Sequence, residues 1–107
     1  MAFGVKRNRF RFHKLTPNPS RGDATLSYEL AGGCDVKIEV FDVAGRSVTS
    51  VSRSDLAPGV HDFTWDSNEG SGPRDFTTGA YFVRLTARNA VSGIEEFSAT
   101  RKLILIR

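Results

Sequence analysis

Cysteine is almost absent from this chain: Cys34 is the only one among 107 residues. A lone cysteine makes no internal disulfide and no zinc set, so the fold rests on its core and not on staples. Its place beside the turn AGGCD suits a small structural residue better than a reactive thiol, which requires an exposed, electropositive setting. Histidine is nearly as sparse. His13 and His61 have no partner spacing that makes a catalytic triad, and the serines lie outside any Gly-x-Ser-x-Gly elbow, so no catalytic residues are assigned and no enzyme activity is expected. No metal and no cofactor are expected either. Long apolar runs are missing as well: Leu103 to Ile106 is far too short to cross a bilayer, and the basic N-terminus is not followed by the apolar core of a signal peptide.

What remains is an ordinary globular composition, 39% apolar and 25% charged, in a chain long enough to bury one core. The net charge of +3 is unevenly spread. Residues 1–14 hold Lys6, Arg7, Arg9, Arg11 and Lys14 and no acid, which leaves ten basic and twelve acidic residues beyond, a net of −2. The basicity therefore belongs to a head segment, read as a linker or an edge strand, and residues 15–107 form the domain. In KRNRFRFHK the period of two puts Arg7, Arg9, Arg11 and His13 on one edge and Phe10 and Phe12 on the other. Cations interleaved with aromatics can bind nucleic acid, but they also mark an edge strand that resists sheet-to-sheet association, and the second reading is preferred. Such a strand could cover the domain's own apolar surface, or self-associate through residues 5–14 by adding to a neighbouring molecule's sheet.

The chain alternates with period two and shows no helical period, internal repeat or low-complexity tract. Ala24, Leu26, Tyr28 and Leu30 share one face of a strand, as do Val36, Ile38 and Val40, then His61, Phe63 and Trp65, then Tyr81, Val83, Leu85 and Ala87. Further strands are expected at Ser47 to Val51 and over EFSATRKLILI. Turn signals separate these runs, and the resulting prediction is an antiparallel β-sandwich of about seven strands. Pro17 and Pro19 are read as an extended lead-in segment, Gly45 as a left-handed turn position after Asp42, Trp65 as a core anchor, and Gly79 as a tight bend where the long polar loop from Ser67 to Thr78 ends.

Two short motifs admit sharper readings. Arg21-Gly22-Asp23 matches a minimal adhesion-receptor ligand, but a polar turn after the prolines explains it. Asp66-Ser67-Asn68-Glu69-Gly70 has part of a calcium loop, without the third alternate ligand or the distal glutamate, and is read as a solvated loop.

The order PNPS at 17–20, VKIEVFDVAGR at 36–46, LAPGVHDFTWD at 56–66, GAYFVRL at 79–85 and ATRKLILIR at 99–107 resembles the C-terminal sorting domain of type IX secretion substrates and the immunoglobulin-like domain of flagellar hook-capping proteins. The resemblance implies an immunoglobulin-like β-sandwich that sorts or anchors an exported bacterial protein at the cell surface after periplasmic transit. Its motif positions here are Pro17, Asn18, Pro19, Asp42, Gly45, Trp65, Asp66, Gly79 and Tyr81. The final strand, Lys102, Leu103, Ile104, Leu105, Ile106 and Arg107, is the partner-binding candidate because both of its faces are apolar whereas a sandwich strand buries one. The secretion machinery or a neighbouring domain of the parent protein is the partner expected from the resemblance. Met1 lies a few residues upstream of the motif set where such modules follow a cargo domain, so a structural assembly module is the alternative.

Overall fold

A computed structural model describes residues 9–66 and 77–106, with Asp66 described through its backbone alone. Seven strands run in chain order: β1 (Arg11–Thr16), β2 (Asp23–Leu30), β3 (Cys34–Phe41), β4 (Ser47–Leu56), β5 (Gly59–Asp66), β6 (Gly79–Asn89) and β7 (Glu95–Leu105). They make a three-stranded sheet in the order β1-β2-β5 and a four-stranded sheet in the order β4-β3-β6-β7, with antiparallel pairing throughout both ladders. The fold is an immunoglobulin-like β-sandwich.

The period-two runs become its two inner faces. Register places Ala24 opposite Trp65 and Leu26 opposite Phe63 in one sheet, and Val36 opposite Ala87, Ile38 opposite Leu85 and Val40 opposite Val83 in the other. Each pair sets two apolar side chains side by side on the core face. Leu30, Leu85, Leu103 and Leu105 are fully buried, each worth about 1.5–3 kcal/mol relative to exposure. Trp65 and Tyr81 close the cluster. The Tyr81 hydroxyl accepts the Thr77 N–H at 3.1 Å and donates to the Thr77 carbonyl at 2.8 Å, a loop back to upstream backbone at the start of a strand that is common in immunoglobulin-like sandwiches.

The structure differs from the sequence reading at four places. β1 runs across the point where head and domain were divided, and Phe12 is buried. A register shift between Phe12 and Lys14 resets the strand's phase, so Phe12 and Leu15, three residues apart, can both turn toward the core. The proline segment is not a lead-in: it links β1 to β2. β4 continues five residues beyond Val51, because an edge strand paired with β3 needs no second buried face and tolerates Ser52, Arg53, Ser54 and Asp55. Gly79 opens β6 without a positive φ and with open space where a Cβ would lie, so nothing in its geometry requires glycine.

Gly45 does have such a requirement, with φ +83° in the turn between β3 and β4. Asp42 organises this turn. Its Oδ1 accepts the N–H groups of Ala44 (2.9 Å) and Arg46 (3.0 Å), and its Oδ2 accepts Arg46 Nε at 3.0 Å. The Arg46 backbone N–H, then its guanidinium and the Ala44 N–H, hold the Asp42 carboxyl below the usual aspartate range against the opposing cost of desolvation.

Candidate functional site

The C-terminal strand does not present itself as a free apolar peptide. Leu103 and Leu105 point inward and are fully buried, while Lys102, Ile104 and Ile106 lie on the outer side of β7. Arg107 lies outside the described residues. The five described tail residues therefore divide between folding and display, and only the outward ones can meet a partner.

The exposed edge of β7 is occupied by the chain's own proline segment. Asn18 Nδ2 donates to the Lys102 carbonyl at 2.7 Å, and Asn18 Oδ1 accepts the Ile104 N–H at 2.9 Å. The Ser20 N–H then donates to the Ile104 carbonyl and the Ile106 N–H donates to the Ser20 carbonyl, both at 2.8 Å, in a parallel bridge between Ser20 and Leu105. An asparagine amide carries one acceptor and one donor group, so Asn18 imitates a strand residue while Pro17 and Pro19 beside it bring no competing N–H. The segment caps part of an edge that could otherwise template another chain. Ser20, buried at 1% exposure, anchors the clamp: its hydroxyl donates to the Asp23 carbonyl and accepts the Gly22 N–H at 3.1 Å.

That anchor decides how Arg21-Gly22-Asp23 is displayed. Gly22 is buried, Asp23 is exposed but held at the start of β2 opposite Asp66, and Arg21 is exposed on the turn. The three residues are a folded corner and not a loop tip.

The head segment closes the other side of β7. Phe10 stacks on Phe97 with centroids 5.8 Å apart, and Arg101 sits 5.4 Å from the Phe12 ring centroid while donating to the Phe12 carbonyl at 2.8 Å. Phe10 and Phe12 thus pack against β7 from the side of the three-stranded sheet. Arg9 donates its N–H to Glu29 Oε2 at 3.3 Å and His13 Nε2 lies 3.1 Å from Glu29 Oε1. Burial opposes ionisation of Glu29, but the Arg9 N–H and His13 together outweigh it and hold the carboxyl below its usual range.

Cys34 is buried, and desolvation, with Glu96 and Asp35 nearby, pushes its thiol up, away from thiolate chemistry. Among the described residues, no group of three or more His, Cys, Asp or Glu is placed to hold a metal ion, and no helix is long and apolar enough to cross a membrane. Ser67 to Gly70, most of the calcium-loop fragment, lie outside the described residues, as does the Asp66 side chain.

A family comparison places most of this sandwich. Residues 14–90 match the FlgD Ig-like domain. The chain belongs to that family. The match covers β2 to β6 and the second half of β1, and β7 lies beyond it. Among solved structures, the FlgD Ig-like chain superposes on dimeric latent PorU from Porphyromonas gingivalis with TM-score 0.70 and 23% identity, covering 96% of this chain and 10% of PorU. It also superposes on the β-glucuronidase of Parabacteroides merdae with TM-score 0.59 and 14% identity, covering 92% of this chain and 13% of that one. These likenesses show a shared fold, and the chain spans only about a tenth of each of these longer proteins. No curated protein sequence matches it.

Two outer residues of the four-stranded sheet, Phe41 and Phe82, are not among the sequence candidates. Phe41 and Phe82 face each other across β3 and β6, both on the side away from the core. The signal that could have found them is an aromatic residue at the polar phase of two alternating strands.

Proposed function

We propose that this FlgD Ig-like domain is a non-catalytic module that targets or anchors an exported bacterial protein through the type IX secretion pathway, and that it works outside the cell or at its surface. The observation that carries the reading is proportion. A fold that accounts for nearly all of this chain recurs as 10% of one much larger protein and 13% of another, as expected of an appended unit and not of an enzyme core. The resemblance of the ordered motifs to type IX sorting domains supplies the pathway, and the outward side of β7 supplies the element offered to the machinery.

Fusing residues 9–107 behind a signal peptide and a reporter, in a host with this pathway, tests the proposal. The boundary starts at Arg9 because β1 and Phe10 belong to the sandwich. The reporter is expected at the surface or in the medium, and a folded reporter held in the periplasm refutes the sorting role. Deleting Lys102 to Arg107 is a poor companion test, since it strips Leu103 and Leu105 from the core. Replacing Lys102, Ile104 and Ile106 together with serine leaves the core intact and should stop export.

Membership of a family named for FlgD favours a second reading, in which the domain spaces or assembles extracellular parts. Concentration-dependent oligomers of the purified chain, together with an unexported reporter, would favour assembly.

A further inference from the structure

We propose that the outer face of the four-stranded sheet, at the end carrying Phe41, Val43, Phe82 and Ile104, docks a protein segment that offers an apolar side chain flanked by carboxylates. Register builds this surface. Phe41 pairs with Phe82 and Phe82 with Lys102, so these three cross the sheet in one row, and Ala80 pairs with Ile104 in the next. Val43, 76% exposed, projects from the adjoining turn. A shallow concavity lies between, lined by the Phe41 and Phe82 rings, the Asp42–Gly45 turn, Arg84 and Thr100. The Arg84 guanidinium rests 4.6 Å from the Phe41 ring centroid and forms part of its rim.

The rest of the same face follows the pattern of a solvated sheet. Glu39 pairs with Arg84 at 3.1 Å and with Lys37 at 3.6 Å, and Arg88 approaches Glu95 at 3.9 Å. The apolar end breaks that pattern, and a contiguous apolar patch with a polar surround marks a place where another molecule sits.

Charge selects the occupant. At the patch, Arg46 is matched by Asp42 and Arg84 by Glu39. Lys102, exposed in the central row, has no ion pair among the described residues, so the excess at the rim is positive. A second copy docked symmetrically would set Lys102 near its own equivalent, a like-charge contact that disfavours self-pairing. A segment with carboxylates beside its apolar anchor meets both the concavity and the charge.

The inference rests on reading the chain as a protein-recognition module, yet its test involves no secretion, so failed export and failed docking are separate results. Random peptides displayed on phage are selected on the purified full chain, and one selected peptide is titrated into isotope-labelled protein. Enrichment of an aromatic or aliphatic residue beside Asp or Glu is expected, with amide shifts centred on Phe41, Val43, Phe82 and Lys102. Phe82→Ala should weaken that peptide about thirtyfold, as for a hot-spot aromatic. Val43→Asp, at an exposed turn position that cannot disturb the core, should weaken it at least about tenfold by placing a like charge against the peptide. Lys102→Glu should weaken it at low salt and less at high salt. Basic or unpatterned peptides, shifts on another face, unchanged affinity in both Val43→Asp and Phe82→Ala, or a dimer of the free chain formed through this face would overturn the proposal.

Discussion

Asn18→Ala tests whether the proline segment holds the last strand. The substitution removes two hydrogen bonds, from Asn18 Nδ2 to the Lys102 carbonyl and from the Ile104 N–H to Asn18 Oδ1, and leaves the two backbone bonds of Ser20 in place. A net value of about 0.5–1.5 kcal/mol per bond gives about 1–3 kcal/mol. Both bonds are exposed, so water replaces part of each and the expected loss is the lower half of that range, about 1–2 kcal/mol. In thermal unfolding this corresponds to a fall in Tm on the order of 4–16 °C. Urea titration reads the total, and amide exchange reads the place: Ile104 and Ile106 should exchange faster while Leu85, in the centre of β6, follows only the change in global stability. Asn18→Asp sharpens the test, because a carboxylate still accepts the Ile104 N–H but faces the Lys102 carbonyl with no donor. It should be no more stable than Asn18→Ala. A loss below about 0.3 kcal/mol, within the scatter of ordinary surface changes, with unchanged exchange at Ile104, would refute the clamp.

Trp65→Ala should cost about 3–5 kcal/mol in a denaturant titration, as for a buried large aromatic, whereas Arg21→Ala, exposed on its turn, should cost less than about 0.5 kcal/mol. Asp42 has a folded pKa below its ordinary value of 3.8, so the folded state binds fewer protons there than the unfolded chain. Its stabilisation is present above that ordinary value and is lost as pH falls through the depressed folded pKa; Asp42→Asn should therefore be less stable at neutral pH and converge on the parent in acid, and parallel curves would refute the assignment. Cys34 should resist a thiol reagent in the native protein and react once the chain is unfolded, and rapid native labelling would show that the strand is open.

The parts legible in the sequence are those where one strand buries one face. Ala24 to Leu30, Val36 to Val40 and Tyr81 to Ala87 alternate without interruption, and each lies in the interior of a sheet with its register continuous. Legibility fails where the period breaks or ceases to matter. The bulge near His13 shifts the phase of β1, so no single alternation joins Phe12 to Leu15. The second half of β4 is polar because it lies at an edge. Asn18 was visible as part of a motif, but its role depends on carbonyls and amides 84 and 86 residues away, and no local pattern encodes them. Phe41 and Phe82 were hidden for another reason: alternation directs attention to the buried phase, and their significance lies in the other one.

Because the Pro-Asn-Pro-Ser segment and β7 are more than eighty residues apart in the chain, their bridge has a consequence for biosynthesis. Asn18 waits for partners made 84 and 86 residues later. Until Leu103 and Leu105 leave the ribosome, the four-stranded sheet keeps an open edge at β6 and the core keeps two vacant leucine positions. A nascent chain interrupted before Lys102 would lack both leucines and the strand groups that Asn18 and Ser20 hold. Closure of the sandwich thus reports that β7 has been made, and any factor that recognises the outward side of β7 would engage folded domains in preference to fragments that lack it.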